Sequence, residues 1–218
     1  MKSSSRYWAT RIKRHILLAA SAAAGTALIY LATAPPDFRH RLSMSTAYAS
    51  LLFLCTTLLL GPWNTLRRRP NPVSFDLRRD IAIWAGLLAI LHTAVGLTVH
   101  LRGRMWMYFL KQRHPIKFQT GLFGSANDIG LLSALFFLVL LVISNDVSLR
   151  ALGLQRWKSL QRWTYVAVGL AIVHGILFQL VEKRRLPWVL VFATLSIFMV
   201  VVQLAGVAYI RAQRRTDA

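Results

Sequence analysis

Long apolar runs alternate with short, polar and strongly basic connections along this chain. A hydrocarbon core about 30 Å thick takes roughly 20 residues of helix to cross, and six runs approach or reach that length: residues 16–33, 46–63, 81–100, 127–144, 164–181 and 187–210. The pattern predicts an all-α integral membrane protein, one transmembrane domain built as a six-transmembrane-helix bundle. Two runs share a feature. The third is entered through DLRRD (residues 76–80) and holds a lone histidine, His92; the fifth is entered through QRWKSLQRW (residues 155–163) and holds His174. Arg79 and Gln161 each stand thirteen residues before the histidine that follows. Helices three and five lie two crossings apart and run in the same direction, so both histidines are expected at one depth.

The first run follows a basic segment and ends in Ala32-Thr33-Ala34, which mimics a signal-peptide cleavage site. Its apolar core exceeds that of a typical signal and Pro35 follows the mimic, so a retained helix is expected. Ser21, Ala22, Gly25 and Thr26 form a small-residue stripe that lets another helix approach closely. Gly61-Pro62-Trp63 reads as the end of the second span, and Ser74 or Asp76 as the cap of the third. In the longest connection, the segment MWMYFLK (residues 105–111) is too short to span; it is expected at the membrane interface, aromatics at headgroup level.

Charge changes the picture only in one respect. A net charge of +20 suggests nucleic acid in a soluble protein, but here the cations sit in connections between spans, where lipid headgroups are their partners. No nucleic-acid role is expected. The N-terminus and the even-numbered connections, with the C-terminal tail, carry 17 Lys and Arg against 10 on the opposite side. The positive-inside rule then places both termini in the cytoplasm. The one cysteine, Cys55, lies inside a span, which excludes a disulfide framework and a covalent CxxCH haem attachment.

The seven acids, Asp37, Asp76, Asp80, Asp128, Asp146, Glu182 and Asp217, fall at helix ends or in connections, so no buried carboxylate is expected. That leaves His92 and His174 as the strongly polar groups near the middle of the spans, and polar groups at that depth are costly unless they serve a purpose. Two imidazoles at one level suit the two faces of a single haem iron. The competing reading has each histidine bonding a neighbouring helix's Ser, Thr or carbonyl. His100 is expected at the interface, level with Glu182; His15, His40 and His114 are expected to be solvated among basic residues.

The third-span stretch resembles the R-x-L-G-L-x-A…H signature of the ferric-reductase-like transmembrane domain family, through Arg79, Ile81, Ala82, Ile83, Ala85 and His92. The fifth-span stretch is similar to that family's L-G…W-x-x-L-H-R-L-x-Y…H signature, through Gly153, Trp157, Leu160, Arg162, Tyr165 and His174. The family includes the haem-binding membrane subunit of a bacterial periplasmic methionine-sulfoxide reductase system and the membrane cores of NADPH oxidases and ferric reductases. The resemblance implies noncovalent haem b between the third and fifth helices, with His92 and His174 on the haem iron. Arg79, Arg102, Arg104 and Arg162 are candidate propionate partners, with lipid phosphate as the alternative partner, and Trp84, Trp157, Trp163 and Tyr165 are candidate packing groups, with interfacial or core packing as the alternative. Gln161 stands where the family signature has its first histidine. A glutamine amide is a poor iron ligand, so one haem is expected rather than two.

The expectation is a haem-b membrane electron-transfer subunit in the bacterial inner membrane. A separate donor (flavin, flavoprotein or quinol) would supply it, flavin entering only through that partner, because no GxGxxG or P-loop motif is present. It would deliver electrons to a periplasmic acceptor, which the resemblance suggests is a methionine-sulfoxide-reductase-like protein. Two rivals stand beside it: a haem-free transporter or assembly scaffold that keeps the fold, and an enzyme with more than one haem that uses His100 or His114 at its outer face.

Overall fold

The computed structural model describes residues 4–33, 37–67, 75–111 and 117–216. Seven helices account for nearly all of it: α1 (Ser4–Ala32), α2 (Phe38–Leu66), α3 (Phe75–Gly96), α4 (Gly121–Val142), α5 (Asp146–Gln161), α6 (Thr164–Val181) and α7 (Leu186–Thr216). Six spans are long and apolar enough to cross a membrane, with α5 and α6 forming one of them. An all-α, six-helix membrane bundle is therefore what the sequence builds.

Local chemistry sets several helix ends. Asp37 caps α2 by accepting from the His40 N–H at 2.9 Å, and Asn145 caps α5 by accepting from the Ser148 N–H at 2.8 Å. α2 runs through Pro62 to Leu66 rather than stopping at Gly61-Pro62-Trp63, and it begins early enough to carry His40 in its first turn. The basic connection after the fourth span is itself a helix, α5, broken at Gly153, whose φ of 73° suits glycine. Ser74, Pro35 and His114 lie outside the described residues.

The bundle is centred on α2, which packs on α1, α3 and α7; α4 packs on α3 and α6. α3 and α6 share little or no direct backbone contact, because α2 and α4 hold them apart. Hydroxyls tie adjacent helices where no water competes: Ser50 donates to the Ala85 carbonyl (α2 to α3), Ser133 to the Ala167 carbonyl (α4 to α6) and Tyr48 to the Trp188 carbonyl (α2 to α7). The apolar core, with Leu54, Leu58, Phe137, Leu140 and Met199, includes Cys55, which is buried as a small apolar residue.

α1 stands apart. Along its described length only Ala22 is buried, packed on Ala49 and Leu88, so its small-residue stripe makes one close contact. Charge holds its basic end. Asp80 is wholly buried, contrary to the expectation of no buried carboxylate: Arg11 and Arg14 of α1 donate to it at 3.1 and 2.9 Å, and His15 approaches at 3.4 Å. Trp84 donates to Nδ1 of His15, which leaves the proton on Nε2, facing Asp80. His15 is thus a member of this cluster and not a solvated residue. A carboxylate at a helix end becomes buried only when a neighbouring helix brings its cations over it, and sequence position does not reveal that neighbour.

Candidate functional site

His92 on α3 and His174 on α6 meet in the gap between those helices, their ring centroids 6.2 Å apart and their planes at 67°. Depth matching from the sequence is realised. The Nδ1 of His92 lies 2.9 Å from the Ser43 carbonyl and 3.3 Å from the Ser43 hydroxyl; the Nδ1 of His174 lies 2.8 Å from the Ala126 carbonyl. These are the neighbour-helix bonds of the competing reading. A carbonyl only accepts, so each Nδ1 carries the proton, and a neutral imidazole then keeps its lone pair on Nε2. The bonds fix tautomer and ring orientation while leaving the Nε2 lone pair uncommitted, the arrangement that second partners impose on metal-bound histidines.

Both rings line a cavity of about 210 Å³, many times the roughly 10–15 Å³ that one water needs. Its middle is apolar, with Leu51, Leu54, Ala134, Phe137 and Phe178. Gly130 of α4 backs His174: a Cβ there would run into the imidazole at Nδ1. Gly130→Ala is expected to cost about 1–3 kcal/mol by overpacking and to break the bond to Ala126. Gly169→Ala, which meets no heavy atom within 4 Å, serves as the control, and unfolding of both variants in detergent decides the matter.

Toward the end of the bundle away from α1's basic segment, the cavity opens on a polar mouth. Glu182 accepts from Nε2 of His100 at 2.7 Å and lies 3.3 Å from Nε2 of His40. His40 is therefore half-buried beside a carboxylate and not solvated. Tyr108, expected at headgroup level, is 1% exposed; it donates to the Gly96 carbonyl and accepts from the His100 N–H. Its neighbours Met105 and Trp106 do stay exposed. Arg184 also reaches the mouth, with a guanidinium nitrogen 3.0 Å from the Met44 sulfur, and the Gln179 amide oxygen is buried without a partner among the described residues. The level match of His100 with Glu182 was the one sequence signal for this cluster.

The His100 hydrogen bond holds the Glu182 carboxyl below its ordinary value of 4.5, against the opposing effect of burial. A depressed folded-state value means a stabilising contribution that is present above the ordinary range and lost as pH falls through the folded value. Glu182→Gln is expected to cost about 1–3 kcal/mol at pH 7 and to flatten the decline of stability below pH 4.5. Equal melting penalties at pH 7 and pH 4 would count against this.

Arg79 and Arg162 do not line the histidine cavity. They border a second cavity of about 240 Å³ at the basic end, between α2, α3, α4, α5 and α6. Arg79 is held by Asp146 at 2.6 Å and Asp76 at 3.3 Å. Gln161 borders the same cavity and donates to the Ser144 hydroxyl. Of the aromatics, Trp84 serves His15, Trp157 is buried and donates to the Ile143 carbonyl, Trp163 stacks on Phe136, and Tyr165 is exposed.

Among the described residues no three His, Cys, Asp or Glu side chains converge as a metal-ion ligand set. Two histidines alone are too few for a closed structural zinc site, which takes four protein ligands. They suffice for a metal that brings its own equatorial donors. No protein-family model matches the chain.

Proposed function

We propose that this protein is a membrane electron carrier that holds one haem b, with His92 and His174 as the two axial ligands. The supporting observation is the pair itself: two rings at one level across a gap, each with its Nδ1 proton committed to a backbone carbonyl.

When bound, the haem would supply a one-electron couple, and His92 and His174 together holding its iron would favour electron transfer over oxygen chemistry. The chain's own residues do the rest. Ser43 and Ala126 orient the imidazoles, and apolar walls flank the pair. Arg184, at the polar mouth, replaces Arg79 and Arg162 as the cation available to a propionate, because it borders the same cavity as the histidines. Gln161 supplies no ligand at the basic end, so the stoichiometry is one.

In this reading the protein sits in the bacterial inner membrane with both termini cytoplasmic, supported by the 17-to-10 charge bias. A separate flavin, flavoprotein or quinol donor feeds it, and a periplasmic redox protein, such as a methionine-sulfoxide-reductase-like partner, receives the electrons. The ferric-reductase-like family is the resemblance that supports this assignment. The test is the reduced-minus-oxidised spectrum of the detergent-purified protein with pyridine haemochrome quantification. One low-spin haem b per chain is expected. A colourless protein after expression with added haem precursor would leave the haem-free transporter or scaffold as the better account.

A further inference from the structure

The second cavity has no use in the electron-transfer reading, yet it is as large as the first. It lies where α3 and α6 begin and α4 ends, the depth at which spans meet the headgroup region. Arg78, Lys158 and Arg162 border it, and Lys158 and Arg162 make no ion pair with the described residues. Arg78 is committed only through Nε, which donates to the Thr57 carbonyl. Among the described residues no carboxylate lines the cavity. Its deeper wall is apolar, with Leu54, Leu58, Phe137 and Leu140.

Three uncompensated cations at the rim of an apolar recess call for an amphipathic anion. We propose that this cavity holds the phosphodiester headgroup of an anionic phospholipid, with an acyl chain against the apolar wall. Basic pockets between helices at the headgroup level bind such lipids. A zwitterionic lipid fits less well, since no carboxylate complements its amine. Free phosphate leaves the apolar wall without a role. A second haem finds no imidazole or thiolate here, only the Gln161 amide already bonded to Ser144. This inference stands independently of the haem reading.

Native mass spectrometry of the full chain in detergent tests it, titrating phosphatidylglycerol against phosphatidylcholine of matched acyl chains, with glycerol 3-phosphate and inorganic phosphate in separate arms. One phosphatidylglycerol per chain is expected, retained through detergent exchange and bound at least ten-fold more tightly than phosphatidylcholine. Lys158→Gln with Arg162→Gln is expected to weaken it about 25-fold, five-fold for each cation removed near the surface. Arg150→Gln with Arg156→Gln, two α5 cations outside the cavity lining, is expected to leave it unchanged. The exposed Arg162→Gln alone keeps the test open if the double variant is unstable. Equal binding of both lipids, equal loss in the two double variants, equally tight binding of glycerol 3-phosphate or phosphate, or a flavin or second porphyrin in place of the lipid would each overturn the proposal.

Discussion

His92→Ala and His174→Ala are each expected to reduce haem content from one per chain to near zero, with loss of the low-spin spectrum. The reason is geometric. Each histidine comes from a different helix, α3 or α6, and those helices scarcely touch; the other described imidazoles lining the cavity, His40 and His100, both sit beside Glu182 at its mouth. His100, the nearest alternative on the α3 side, is bonded to Glu182 at the mouth. The haem-free reading makes a different forecast. There the histidines are worth only their interhelical hydrogen bonds, about 0.6 kcal/mol on average and 1.7 at most for such bonds in a membrane protein. Haemochrome content and thermal unfolding, measured together on both variants, separate the two. Full haem retention in either variant would remove that residue from the ligand set.

Asp80→Asn should be the most destabilising single change at the basic end, by about 3–5 kcal/mol. Asp80 is wholly buried, and Arg11, Arg14 and His15 converge on it. Removing its charge takes from Arg11 one of two carboxylates, leaving Asp146 at 3.2 Å, and leaves Arg14 with no carboxylate among the described residues. The consequence falls on α1, which among its described side chains buries only Ala22 and relies on these ion pairs for its position. The variant should therefore expose α1 to protease before the rest of the bundle opens. Arg14→Gln, at a 23% exposed side chain, should cost only about 1 kcal/mol and serves if Asp80→Asn fails to accumulate. An Asp80→Asn protein within 1 kcal/mol of the parent, with α1 still protected, would show that packing alone seats α1.

What the sequence by itself determined is what depends on one helix at a time. Hydropathy is a sum over neighbours in the chain, so the apolar runs located six spans, and the fifth matched its helix to the residue at 164–181. Depth is likewise local, a count of residues from a helix end, and it placed His92 and His174 at one level; that they meet across the gap between α3 and α6 was decided by packing. The tertiary structure decided everything that depends on which helix stands next to which. Asp80 reads as a surface acid until α1 lays Arg11 and Arg14 over it. His40 reads as a solvated loop residue until α2 starts at Phe38 and turns it toward Glu182, and Tyr108 as an interfacial aromatic until its hydroxyl finds Gly96 and His100. Arg79, on α3, and Arg162, in the turn between α5 and α6, lie at the other end of the bundle from the histidines. Polar side chains are placed by partners distant in sequence, because burial is tolerable only where a complementary charge or hydrogen-bonding group arrives from another helix, and no pattern within a single span records that arrival.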